Sequence, residues 1–321
     1  MLQPTLNHHR ICFGDRCSLT FHRTLRIPDD GHTYPLPPGL GTFPVHRVGE
    51  YRHRLDQRIN PQQRHLWQDE DFLISLFQRE ALWIGFQGQT WKPNAVQIGI
   101  GRINAVSAQS WEQGDLSDQP QNYLVIPQQL WLDGINTEEE SVRQFVAMPL
   151  GQGYSVEAAL TGQEQFGGIQ VKVYDPKPGI FPDQPPPPPS TDCSIPPGLA
   201  MARPAASASM GLGAGGQMRQ KIYRDPYGLP TWDPTQTATA TVHILNSDQY
   251  AAVTGQAPTP SPIDVATYIR YGLPWFDLYD EAIPAIAGAK DFAHIKTLQA
   301  RDAELGQSSA GQNSSVEGPE S

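Results

Sequence analysis

Between Cys17 and Ile27 apolar and polar residues alternate. Cys17, Leu19, Phe21, Leu25 and Ile27 fall on one side of an extended chain, and Ser18, Thr20, His22, Thr24 and Arg26 fall on the other; Arg23 alone interrupts the apolar side. Period-two alternation of this kind predicts a half-buried β-strand. The same logic predicts strands at 72–77, 81–86, 95–103, 123–126, 142–148, 154–160 and 169–174. The clearest alternations are Val96, Ile98 and Ile100, then Tyr154, Val156, Ala158 and Leu160, then Ile169, Val171 and Val173. Turn-rich stretches such as DDGHTYPLPPGLGTFP and TGQEQFGG separate them. Many short strands with such punctuation predict a mainly β fold, an antiparallel sandwich or barrel over residues 10–182. Residues 60–71, with Asn60 as a cap and Pro61 at the first helical position, suit either a short helix or a loop turn.

From Pro176 the pattern dissolves. Residues 183–216 run through five consecutive prolines into an Ala/Ser/Gly-rich stretch with no period and little bulk to bury, which predicts a linker, stiff at first and flexible after. A polyproline ligand for an aromatic groove is the functional alternative. A small α+β unit is expected over 217–290. In it 241–245 reads as a strand, 246–255 as a short helix ended by Gly255, and 261–272 as a helix capped by Ser261, with Asp264 completing a capping box and Gly272 as its stop. Val265, Tyr268, Ile269 and Gly272 share one face of that last helix. The tail 305–321 has almost nothing to bury and is expected to be disordered.

The segment from Gln144 to Pro182 (QFVAMPLGQGYSVEAALTGQEQFGGIQVKVYDPKPGIFP), with IYRDPYGLPTWD and YGLPWFDLYDE further on, resembles segments of a family of uncharacterised microbial proteins. The likeness extends over most of the chain. It implies no activity and no catalytic residue, because the family has no established one.

Composition narrows the functions. The 31 Pro and 29 Gly make much of the chain turn or loop. A formal charge of -10 gives no general attraction to phosphate backbones, so nucleic acid is not an expected partner. Residues 1–66 run against that total, with nine Arg against five acids and seven of the nine His. This end either contacts an acidic partner or is a solvated face. Three Cys make no disulfide framework, the first residues have no apolar signal-like stretch, and no run of about 18 apolar residues occurs. A soluble, cytoplasmic chain without a membrane span is the expectation.

Four groupings could carry chemistry. Gly211, Gly213 and Gly216 have dinucleotide-loop spacing, with Asp233 downstream, but ARPAASASM before them is no strand to deliver the loop, so a flexible linker is the reading adopted. His8, His9, Cys12 and Cys17 gather zinc-type ligands; Cys17 alternates with core residues, so a buried cysteine beside a frayed terminus is preferred and no metal is expected. Arg79, Glu80, Arg143 and Glu157 lie in or beside predicted strands, as does Arg102. They form either structural ion pairs or a polar pocket in which Arg79 and Arg143 hold an anion and Glu80 or Glu157 acts as base. Trp275, Phe276, Asp277, Tyr279 and Asp280 mix rings with acids, as binding surfaces do, or staple the C-terminal helix to its unit. Cys193, in the linker, reads as an exposed thiol.

No Walker A, G-x-S-x-G, H-E-x-x-H or EF-hand pattern is present, and the sequence points to no cofactor. The expectation is an interaction or ligand-binding protein, its partner a protein or a small molecule. An enzyme with a polar site inside the β domain is the alternative, and a structural or assembly component the third.

Overall fold

In a computed structural model, residues 2–138, 140–186, 209–262 and 284–306 are described. Strands take up 40% of the chain and helices 16%, which makes the fold mainly β. The strands are β1 (Pro4–Asn7), β2 (Arg10–Phe13), β3 (Cys17–Thr24), β4 (Thr33–Tyr34), β5 (Gly39–Thr42), β6 (His46–Arg47), β7 (Phe72–Leu76), β8 (Ala81–Gln87) and β9 (Asn94–Ile100). They continue with β10 (Ile103–Asn104), β11 (Leu124–Ile126), β12 (Trp131–Leu132), β13 (Gly134–Glu138), β14 (Ser141–Pro149), β15 (Ile169–Pro176), β16 (Ser209–Arg219) and β17 (Trp232–Asn246). All are joined in one hydrogen-bonded sheet.

Pairing is antiparallel through β1–β2–β3–β8–β14–β16 and through β17–β15–β9. Two short registers are parallel, β4 beside β16 and β7 beside β17. The alternation in β3 translates directly: Cys17, Leu19 and Phe21 are buried, Ser18, Thr20 and His22 only partly so. Their apolar side meets Val171, Val173, Val242 and Ile244 in one core that also takes in Met210, Leu212 and Ile286. No described helix is long and apolar enough to cross a membrane.

Three expectations are corrected. Residues 154–160 form no strand: Val156–Thr161 is helix α2, after α1 (Arg52–Leu55). Ser155 Oγ accepts the Ala158 amide at 3.0 Å and Gly162 closes the helix at positive φ, so a cap and a stop override the apparent alternation. Val156 and Leu160, spaced i and i+4, both pack on the main core.

Residues 209–216, expected in the linker, are the first part of β16. Their glycines are there for close approach: a Cβ on Gly213 would sit 2.8 Å from the Tyr154 carbonyl oxygen, and one on Gly216 would sit 2.2 Å from that of Pro28. Gly211, Gly213 and Gly216 therefore lie inside a strand and form no strand-to-helix phosphate loop.

The boundary expected at 217 falls within β16 as well. The expected strand at 241–245 is the end of β17, which pairs with β15 and β7 of the N-terminal region, and not part of a sheet of its own. Behind it, α3 (Ser247–Thr254) is capped by Asn246 and ended by Gly255, and α4 (Leu298–Glu304) is capped by Thr297. At 60–71 the chain makes a turn and a single 3-10 turn, Arg64–Leu66. Cys193 with most of the expected linker, the part of the expected 261–272 helix from 263 on, the whole 273–281 segment and the tail beyond 306 lie outside the described residues.

Candidate functional site

The four charges singled out in the sequence go to separate partners. Arg79, at φ 67 in the β7–β8 turn, forms a bidentate pair with Asp302 of α4, at 2.9 and 2.6 Å. Tyr154 donates to the same carboxylate at 2.6 Å. The guanidinium and the phenol hold the Asp302 carboxyl below its ordinary range against the opposing effect of burial. Glu80 turns the other way. It accepts both Nε and Nη2 of Arg23 at 2.9 and 2.8 Å and the Phe77 amide at 2.9 Å, and burial pushes its carboxyl up while these donors oppose the shift.

Arg143 donates to the Ile295 carbonyl. Glu157, on α2, takes the amides of Gln165, Phe166 and Gly167 at 2.7 to 3.0 Å and so pins the loop into β15. Arg102 reaches Glu112 at 2.7 Å. Arg79 and Arg143 thus address different partners, and Glu80 and Glu157 are each enclosed by protein donors. Trp275, Phe276, Asp277, Tyr279 and Asp280 lie outside the described residues.

A concavity of about 930 Å³ lies elsewhere, on the outward side of β1, β2, β3 and β8. Register builds it. Thr5, Cys12, Ser18 and Gln87 form one cross-strand row, and Asn7, Arg10, Thr20 and Gly85 form the next. Successive strand residues point to opposite faces, so the same alternation that sends Leu19 and Phe21 into the core delivers this row of small polar side chains outward. The result is a low floor on a rigid support. The His8–His9 turn stands at one end and Leu130, half exposed, at the other.

Arg10 reaches over the floor to Gln87 Oε1 at 2.6 Å and has no carboxylate within ion-pair distance among the described residues. Arg16 is held by Asp175 at 2.5 Å and by the Lys92 carbonyl at 3.1 Å. His22 continues the outward side of β3 and stacks on Trp83 with ring centroids 3.8 Å apart. Burial, with Arg10 adding to it, pushes the imidazole down to about 4, so it is neutral at physiological pH.

Cys12 and Cys17 project to opposite sides of the hairpin, Cys17 into the core, so they cannot share a ligand. Burial pushes the Cys17 thiol up to about 12 and the Cys12 thiol up as well, which leaves both poor nucleophiles. Sequence reasoning recorded the basic N-terminal region and passed over the groove. The signal was present in the polar half of the alternation, Ser18, Thr20 and His22, which had been read only as the solvent side.

Comparison of the chain with protein-family models, curated proteins and solved structures finds no match.

Proposed function

We propose that the protein is a binding protein that receives an extended, acidic segment of a partner in the groove on β1, β2, β3 and β8. The observation that carries this reading is the groove itself: about 930 Å³ of open space over a floor of Thr, Ser and Cys side chains on paired strands. Volumes of about 300 to 1,000 Å³ are those of ligand sites, and a site built on strands keeps its shape without ligand. Charge supports the class of partner. Arg10 faces the space with no carboxylate within ion-pair distance among the described residues, whereas Arg16 is paired with Asp175; His8 and His9 line the space beside them. Nothing in the groove pairs a nucleophile with a base, which favours binding over catalysis.

The test is fluorescence anisotropy with a labelled decapeptide of alternating Glu and Val, whose acidic side would lie along the Arg10 row. Binding that weakens about tenfold in Arg10→Glu, weakens again when Thr20→Trp fills the floor, and falls with salt is the expected result. Equal binding by wild type and both folded variants, or no binding at low salt, refutes the groove.

A further inference from the structure

A second, smaller cavity lies at a distance in sequence from the groove residues, between the outward side of β9 and the segment 104–122. It measures about 210 Å³. By volume that is room for about seven waters, too small for a drug-sized molecule and enough for a small one. Its walls combine the carboxamides of Gln97, Asn104, Gln109 and Asn122 and the hydroxyls of Ser110 and Ser117 with the apolar side chains of Trp111 and Leu116. Gln97, Asn104 and Asn122 are 3%, 3% and 6% exposed, so their amides were withdrawn from water when the chain folded.

Burying amides costs free energy unless each is hydrogen-bonded, and here part of the capacity is spent holding the wall. Gln97 Oε1 accepts from Tyr174 Oη at 2.9 Å. Asn122 Oδ1 accepts the Ser117 amide at 2.9 Å while its Nδ2 donates to the Asp115 carbonyl at 2.9 Å. Other capacity is left over. Gln97 Nε2 has only a 3.4 Å contact, to the Asp115 carbonyl, and Gln109 Nε2 has no hydrogen-bond partner among the described residues although its Oε1 has two. The wall is fixed in place, and the residues that carry this remaining capacity, Gln97 and Gln109, are among those that line the space.

Trp111 supplies the apolar side. Its indole lies over Gly99, where a Cβ would come within 2.6 Å of the ring, so β9 has a glycine at the one place that lets the ring settle on the strand. The backbone amide of Trp111 is anchored on the Arg102 carbonyl at 2.8 Å. Among the lining residues only Asp115 is ionisable; it is exposed, and its carbonyl, not its carboxylate, accepts from Gln97 and Asn122. No lining residue is a cation, and the ammonium of Lys172, opposite Gln97 on β15, is engaged by the Gly114 carbonyl at 3.1 Å and by the Tyr174 ring; with no buried acid in the wall either, a neutral ligand is favoured over an ionic one.

From this we infer that the cavity is a binding site for a small, neutral, polyhydroxylated molecule, of the monosaccharide or cyclic polyol class. Hydroxyls both donate and accept, which matches a wall of carboxamides and carbonyls, and the C–H faces of such rings pack on an indole. The site is independent of the groove.

The experiment uses the full chain and four probes, D-glucose, D-galactose, myo-inositol and glycerol, each titrated to about 50 mM by isothermal calorimetry and tryptophan fluorescence, a range that reads millimolar affinities. At least one ring probe is expected to saturate. Its affinity should fall about tenfold or more in Trp111→Ala and in Gln109→Glu, the latter a half-exposed position where a carboxylate replaces the spare donor without removing wall contacts to the core. D-glucose 6-phosphate should bind at least about tenfold more weakly than D-glucose. Arg10→Glu should change none of these values. Absence of saturation with all four probes overturns the proposal, as does binding that survives both substitutions or a preference for the phosphorylated sugar. Circular dichroism and the urea midpoint of each variant establish that it is folded, and Gln109→Glu keeps the proposal testable if Trp111→Ala is not.

Discussion

Asp133 offers a quantitative test of how this sheet handles buried charge. It lies between β12 and β13, 3% exposed, and its carboxylate receives a hydrogen bond from Gln220 Nε2 at 2.8 Å; Gln220 Oε1 in return accepts the Asp133 amide at 3.0 Å. No cation lies within ion-pair distance among the described residues. Burial therefore pushes the carboxyl from its ordinary 3.8 up to about 7, with Gln220 opposing. At about 1.36 kcal/mol per pH unit, that displacement corresponds to about 4 kcal/mol.

The sign follows from proton binding. Between about pH 4 and pH 7 the folded state holds a proton that the unfolded state has released, so stability falls as pH rises through this window and the loss is complete above it. Asp133→Asn keeps the shape and an acceptor for Gln220 and cannot ionise. The variant should match wild type near pH 4.5 and exceed it by about 2 to 4 kcal/mol at pH 8, read by urea unfolding at several pH values. His22 and His243, both pushed down by burial, give the opposite slope, with stability lost as pH falls below the ordinary imidazole range. That contribution is common to both proteins and cancels in the difference. Parallel stability curves from pH 4.5 to pH 8, or a variant weaker than wild type at pH 8, would refute the reasoning.

Arg79→Ala strands the Asp302 carboxylate, 1% exposed, with Tyr154 as its remaining partner; a loss of about 3 kcal/mol in urea unfolding is expected, with groove and cavity binding intact, and an unchanged midpoint would remove the pair from the account of α4 docking. Gly216→Val drives side-chain atoms onto the Pro28 carbonyl and should cost about 3 kcal/mol or prevent folding, whereas the same change at Gly151, where a Cβ meets nothing within 4 Å but φ is positive, should cost about 1 kcal/mol. Cleavage at a protease site engineered between residues 187 and 208 should leave two pieces that co-elute until denatured, because β16 is bonded to β14 and β17 to β15; pieces that separate in native buffer would restore the two-unit organisation read from the sequence.

What the sequence made legible was local. The strand at Cys17, the runs at 72–77, 81–86 and 169–174, and the Gly255 stop of α3 all depend on neighbours within a few residues, where period and turn chemistry are sufficient. The helix at Val156 was misread because Tyr154, Val156, Ala158 and Leu160 alternate as a strand does, while only Val156 and Leu160 form the i, i+4 pair that packs on the core; the capping Ser155 with Gly162 was the local signal that should have decided it. β16 was misread for a different reason. Its glycines look like linker when alone and become strand only when α2, α4 and the Pro28 carbonyl lie against them. Composition cannot report a contact made by residues dozens of positions away.

The same limit explains the sites. Arg23 was visible as the one break in an apolar row, and such a break demands a partner, yet nothing local identifies Glu80, 57 residues on, as that partner. Glu80 and Arg79, adjacent in sequence, looked like a pair with each other because a turn that sends neighbours to opposite sides leaves no trace in residue types. The amide-lined cavity is the extreme case. Glutamine and asparagine are ordinary in loops, and their meaning at 97, 104, 109 and 122 comes only from β9 and its covering segment closing around one space. A charged residue in an apolar run announces itself, whereas a neutral polar residue that ends up buried does not; in a chain with few charges and many amides, the chemistry that folding assembles is therefore the part least readable in advance.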